Sequence, residues 1–114
     1  MSNNSTHELS MQGTQAAGAV AAAVMPLSGG WRFWRHQVQA EVVLTADGSV
    51  VTPTAGVLTV RGKLPGASTF QELGVIPLVA PDPTLFEGYY SALECYSTSL
   101  DADKTWKLYV VSGG

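Results

Sequence analysis

His36-Gln37-Val38-Gln39-Ala40-Glu41-Val42-Val43-Leu44 alternates with a period of two. Val38, Ala40, Val42 and Leu44 fall on one side, and Gln37, Gln39, Glu41 and Val43 on the other. Successive side chains change face in this way only along an extended strand; wound into a helix, the same apolar positions would scatter around the whole circumference. The segment therefore predicts a β-strand with one face turned to a core. Asp47-Gly48 follows as a hairpin signal, with the β-branched Val50, Val51 and Thr52 beyond it.

Toward the C-terminus the same grammar repeats. Pro53-Thr54-Ala55-Gly56 reads as a turn, and Val57-Leu58-Thr59-Val60-Arg61-Gly62-Lys63 as a strand closed by Leu64-Pro65-Gly66. Residues 69–78 read as one short strand or two, with Gly74 a candidate bulge. Pro77, Pro81 and Pro83 exclude a helix from the next connection. In the strand predicted over residues 89–97, Tyr90, Ala92, Glu94 and Tyr96 share one face, and Leu93 and Cys95 the other. Leu100-Asp101-Ala102-Asp103-Lys104 is a turn, and residues 105–111 form a last strand with Trp106, Leu108 and Val110 on one face. Several short strands at this spacing predict an all-β fold, a single antiparallel β-sandwich or small barrel. No internal repeat is evident.

Toward the N-terminus the pattern weakens. Pro26 and Ser28-Gly29-Gly30 carry strong turn chemistry. The run Ala16-Ala17-Gly18-Ala19-Val20-Ala21-Ala22-Ala23-Val24-Met25 has the alanines of a helix but also Gly18, Val20 and Val24, so strand and helix both stay open, with strand preferred. Residues 1–14 are polar. Residues 1–27 are assigned to an N-terminal arm and Ala-rich segment that serves assembly, and residues 28–114 to the β-sandwich; an ordinary first strand over 16–27 is the competing reading. Small side chains bury little apolar area but permit close backbone approach to a neighbouring subunit.

The chain has 114 residues, 46% of them hydrophobic and 13% charged, which is enough apolar material for a core without disulfides. The charged share is about half that of an ordinary soluble domain. Such a surface is either kept in solution by Ser, Thr, Gln and Gly or covered by partner subunits. The net charge is -3 and the six basic residues are thinly spread, so no phosphate-neutralising stripe exists and nucleic acid is not an expected partner. The apolar run over residues 16–27 is too short for a membrane helix, which takes about 20 residues, and no basic start marks a secretory signal. No membrane association is expected.

No hydrolase elbow, zinc-protease helix, phosphate loop or dinucleotide fingerprint is present. Glu41, Asp47, Glu72, Glu87 and Glu94 show no spacing that pairs carboxylates for glycoside cleavage, and read as solvated strand and turn residues. Asp101-x-Asp103 offers two oxygens but lacks the rest of a calcium loop, and aspartate is a favoured turn residue. His7, His36 and the single Cys95 do not make a zinc set. Cys95, in an alternating apolar run, is expected to be buried and chemically quiet. The expectation is a protein that is not an enzyme, with no catalytic residues, no cofactor and no metal.

Aromatic residues carry the functional signal. In Trp31-Arg32-Phe33-Trp34-Arg35, Trp31 and Phe33 face one way and Trp34 the other, so one face must show an aromatic ring outside the core; Tyr89 and Tyr90 also diverge. Trp31, Phe33, Trp34, Tyr89 and Tyr90 are therefore the candidate partner-binding residues, because aromatic rings dominate interface hot spots and stack on sugars.

Three stretches carry a family likeness. Leu27-Ser28-Gly29-Gly30-Trp31-Arg32-Phe33-Trp34 is a glycine-led entry into a long strand. Gly56-Val57-Leu58-Thr59-Val60-Arg61-Gly62-Lys63-Leu64-Pro65-Gly66, then Phe70-Gln71-Glu72-Leu73, is an apolar strand, turn and aromatic-x-x-Leu unit, with Pro65-Gly66 and Phe70 where Asp-Gly and Trp are usual. The third, from Tyr96 through Trp106 to Ser112-Gly113-Gly114, is a closing hairpin with a glycine tail. In this order the chain resembles small β-sandwich virion proteins of tailed bacteriophages: head-decoration, head-fibre-base and tail or baseplate accessory proteins. The resemblance implies a jelly-roll-like structural subunit of the virion, assembled in the host cytoplasm, without cofactor. It also implies homo-oligomers that bind other capsid or tail proteins. A carbohydrate-binding β-sandwich module is the alternative that the aromatic residues allow.

Overall fold

The computed structural model describes residues 7–14, 22–26 and 34–113. Among the described residues there are eight strands: β1 (His7–Thr14), β2 (Ala22–Pro26), β3 (Arg35–Leu44), β4 (Val57–Lys63), β5 (Gln71–Pro77), β6 (Thr84–Glu87), β7 (Ala92–Thr98) and β8 (Lys104–Gly113). They form two four-stranded sheets, ordered β1-β8-β3-β6 and β2-β7-β4-β5, with antiparallel pairing throughout. That order is the eight-stranded jelly roll, in which consecutive strands mostly cross between sheets and partners come from distant parts of the chain. The all-β sandwich expected from the alternation is thus the observed architecture.

Alternation sets which side of each strand is inside. Val38, Ala40 and Val42 of β3 and Trp106, Leu108 and Val110 of β8 are buried on the inner face of the first sheet. Leu58 and Val60 of β4, Leu93 and Cys95 of β7 and Ile76 of β5 meet them from the second. Leu78 and Leu100 close the core at one end. Cys95 is buried, and desolvation, with Glu94 beside it, pushes its thiol up to about 12.

Departures from simple alternation have local causes. Asp47-Gly48 does turn the chain: Ser49 donates its backbone N–H and its hydroxyl to Asp47 Oδ1 (2.9 and 2.7 Å). The return leg, however, is a single bridge, Val43 to Val50, rather than a strand. Val43, on the outward side by parity, is buried where this segment folds back. The register of β4 against β5 shifts beside Gly74, where Val60 pairs with Gly74 and Arg61 with Glu72, leaving Leu73 as the extra residue of a bulge. Residues 84–87, in the connection punctuated by Pro77, Pro81 and Pro83, form the short edge strand β6 along the start of β3.

The assignment of residues 1–27 to an arm outside the sandwich is corrected. All eight residues of β1 pair with β8, and β2 pairs with β7, so both are sandwich strands of the same chain. The physical reason is that β7 and β8 would otherwise end the sheets as long edges with unpaired backbone groups. Leu9 and Met11 are spaced by two, and Met11 is buried in the core. Of the Ala-rich run, residues 22–25 lie in a strand, and residues 16–21 lie outside the described residues.

Candidate partner-binding surfaces

The connections between β4 and β5 and between β6 and β7 meet at one end of the sandwich, where Ser91 donates its N–H to Lys63 O (2.7 Å). Trp34 sits at the same end, just before β3. Its N–H donates to Gly113 O at 3.1 Å and its carbonyl accepts the Gly88 N–H at 2.7 Å. Gly88 has φ 142°, a conformation costly for any other residue, and a Cβ there would lie 2.6 Å from the Tyr90 hydroxyl. This turn sends Tyr89 outward and Tyr90 inward. The rings of Trp34 and Tyr89 then meet edge to face, 5.0 Å between centroids and 61° between planes. They stay 44% and 45% exposed, a large aromatic surface fixed to a hydrogen-bonded backbone.

Of the five aromatic candidates, Trp34 and Tyr89 come together on the surface. Tyr90 does not join them. Half-buried, it packs over Gly62, where a Cβ would lie 2.8 Å from its ring, and its hydroxyl donates to Glu87 O at 3.1 Å. Burial raises its phenol pKa. Tyr90 is a support beneath the surface pair. Trp31 and Phe33 lie outside the described residues.

Under this end lies His36, which the sequence offered only as an incomplete metal ligand. It is fully buried. Nε2 lies 2.7 Å from Gly88 O and Nδ1 lies 2.8 Å from Ser112 Oγ. A carbonyl can only accept, so Nε2 carries a proton and donates it to Gly88 O, while Nδ1 and the Ser112 hydroxyl share the second hydrogen bond. The Tyr90 ring tilts against it at 5.5 Å. The period-two reading of β3 already puts His36 in phase with Val38 and Ala40, and that was the signal for its burial.

The outer face of the first sheet forms a second surface. Register aligns Val111, Gln37 and Leu85 in one row across β8, β3 and β6, and Ser10, Tyr109 and Gln39 in the next across β1, β8 and β3. Leu85, Tyr109 and Val111 are 47%, 43% and 43% exposed. On β3 and β8 the charges stand at the margins: Arg35 with Glu87 (3.6 Å) at one end, Glu41 opposite Lys107 at the other; on β1, Glu8 is in register with Val111. Tyr109 donates to Glu41 at 3.0 Å, which raises its own pKa. Arg35, Gln37, Leu85, Val111 and Gly113 line a shallow groove of about 290 Å³.

Asp101 and Asp103 both bind the Lys104 ammonium, at 3.1 and 3.2 Å, so a protein cation already answers this acidic pair. Among the described residues no group of three His, Cys, Asp or Glu is placed to hold a metal ion, and no helix is long and apolar enough to cross a membrane.

No family model and no curated protein sequence matches the chain. Among solved structures it is similar to the SPBc2 prophage-derived protein YomS, with 14% identity over 98% of this chain and 99% of that one and a TM-score of 0.55. It is also similar to the Yersinia pseudotuberculosis-derived mitogen, with 11% identity over 95% and 86% and a TM-score of 0.52. A protein of the disulfide-linked pili of Bacillus endospore appendages aligns at 12% identity over 96% and 87%, with a TM-score of 0.49. At these identities the likeness is one of fold.

Proposed function

We propose that this chain is a structural subunit of a bacteriophage virion, a capsid-decoration or head/tail accessory protein that acts by binding other virion proteins and catalyses nothing. One observation carries the reading: the exposed Trp34–Tyr89 pair, whose rings meet edge to face beside a backbone tied down by the Trp34–Gly88 and Trp34–Gly113 hydrogen bonds. Preorganised aromatic rings lose little entropy on docking and are typical anchors of protein interfaces. A prophage-derived protein with the same fold along nearly its whole length supports the setting. Low overall charge fits a subunit whose surface is largely covered after assembly. The edge-to-face geometry leaves the two rings without a shared flat platform, which favours a protein pocket over a stacked sugar.

The test is complementation of phage particles grown without the chain, using wild-type protein and the Trp34→Ala/Tyr89→Ala variant. Wild-type protein should co-sediment with the particles; the variant should stay folded, lose less than about 1 kcal/mol of stability and fail to attach. Attachment of the variant at wild-type level would remove the aromatic pair from the interface. If wild-type protein ignores particles but binds in a glycan array, the sugar-binding alternative replaces the virion reading.

A further inference from the structure

We infer that the outer face of the β1-β8-β3-β6 sheet is the contact surface of a two-fold homodimer, with Tyr109 of each copy seated beside Val111 of the other. The inference deepens the assembly reading above by naming the partner of this face as a second copy of the chain. The rows of the face are self-complementary. A two-fold axis across the strands, midway between the Tyr109–Gln39 row and the Val111–Gln37 row, lays β8 over β8 and β3 over β3 in opposite directions. That operation places Val111 on Tyr109, Gln37 on Gln39, and Arg35 on Glu41, each pair occurring twice. An axis along the strands would instead set Val111 and Tyr109 on the amides of Gln37 and Gln39, which matches apolar groups with polar ones.

Three features support this occupant. Along β8 and β3 the central positions Val111, Tyr109, Gln37 and Gln39 are uncharged, and opposite charges stand at the two ends of β3, Arg35 and Glu41, with Glu8 on the flanking strand β1. The groove of about 290 Å³ beside Val111 and Leu85 is open to a tyrosine ring from above. Aligned sheets cross at about 30°, which displaces the Arg35 and Glu41 rows by roughly one strand spacing, within reach of an arginine side chain. Strands of this length at about 4.8 Å spacing offer at most roughly 600 Å² per copy, the low end of specific interfaces. The dimer is accordingly weak in isolation and is reinforced when several copies are held on one particle.

Sedimentation of the purified chain over a concentration series tests this. Wild-type protein should form dimers and nothing larger. Arg35→Glu and Glu41→Arg should each weaken dimerisation by roughly tenfold or more, because each sets like charges against one another twice. Mixing the two variants, or combining both changes in one chain, should restore it to within about threefold of wild type, since either case re-pairs opposite charges. Val111→Lys, at an exposed position, should give a folded monomer. A wild-type monomer at every concentration, a trimer or larger ring, or a dimer unaffected by the single charge changes would overturn the inference. Particle attachment is read separately: a monomer that still attaches sinks only the dimer, and a dimer that never attaches sinks only the virion role.

Discussion

His36 and Gly88, 52 residues apart, are joined by a 2.7 Å hydrogen bond inside the protein. This bond ties the first turn of β3 to the glycine turn that aims Tyr89 at solvent and Tyr90 at the interior. Together with the Ser112 hydroxyl on the other ring nitrogen, it makes one imidazole the link between β3, β8 and the β6–β7 connection. The exposed aromatic pair is held from below by this link.

Replacing His36 by Ala should cost about 2–4 kcal/mol in chemical denaturation, because a cavity opens and the Gly88 carbonyl and Ser112 hydroxyl lose a buried partner. His36→Phe, which fills much of the space, should still cost about 1–3 kcal/mol from the orphaned polar groups alone. A Phe variant as stable as wild type would show that the hydrogen bonds contribute nothing beyond volume.

Gly13 tests whether β1 is part of the sandwich. A Cβ at this position would lie 2.6 Å from Cζ2 of the buried Trp106 ring, a fixed group with no flexible end to yield. Gly13→Ala should therefore destabilise the protein by about 1–3 kcal/mol. Deleting residues 1–14 should do more, since it strips Met11 from the core and unpairs β8. An alanine variant with unchanged stability would mean that β1 does not pack over Trp106 in solution.

Cys95 predicts a pH dependence. Its thiol is pushed up to about 12 in the folded chain, against 9.0 unperturbed, so the unfolded chain releases its proton first. Between those values the unfolded state binds fewer protons than the folded state, and stability falls as pH rises. This contribution is fully present below pH 9.0 and is lost toward about 12, at a limiting slope near 1.4 kcal/mol per pH unit. Denaturation at several alkaline pH values should show a steeper loss for wild type than for Cys95→Ala; parallel curves would contradict the burial of the thiol. In the same protein at neutral pH, a bulky thiol reagent should react only on unfolding.

Arg61 and Glu94 face each other across β4 and β7 on the outer side of the second sheet, 2.9 Å apart, and Arg61 also donates to Phe70 O at 3.2 Å. Glu94 is only 17% exposed, so the pair is less screened than an open surface bridge. Arg61→Ala should cost about 1–2 kcal/mol, and a double-mutant cycle with Glu94→Gln should assign roughly half of that to the pair. A coupling energy of zero would show that water screens it completely.

Much of this protein was written in its alternation. The runs around Val38, Leu58, Cys95 and Trp106 identified β3, β4, β7 and β8, the side chains that share a face in β3, β7 and β8, and the burial of Cys95, because side-chain parity along a strand is a local property. Parity also puts His36 in phase with Val38 and Ala40, a signal the sequence reading left unused, and the ring partners that make it a link could not be read from it. β1 and β6 escaped for different reasons: β1 carries only Leu9 and Met11 as large apolar residues, and β6 has four residues set off by prolines, so neither has enough alternation to stand out. What only the tertiary structure decided is partnership. β1 finds β8 nearly a hundred residues away, Trp34 finds Tyr89 across 55 residues of chain, and Leu85 enters a row with Gln37 and Val111. Alternation tells each strand which side to bury but is the same for every neighbour it could choose. Partners are selected by the closing of two sheets over one core and the pairing of every long edge, which belongs to the whole chain and to no segment of it.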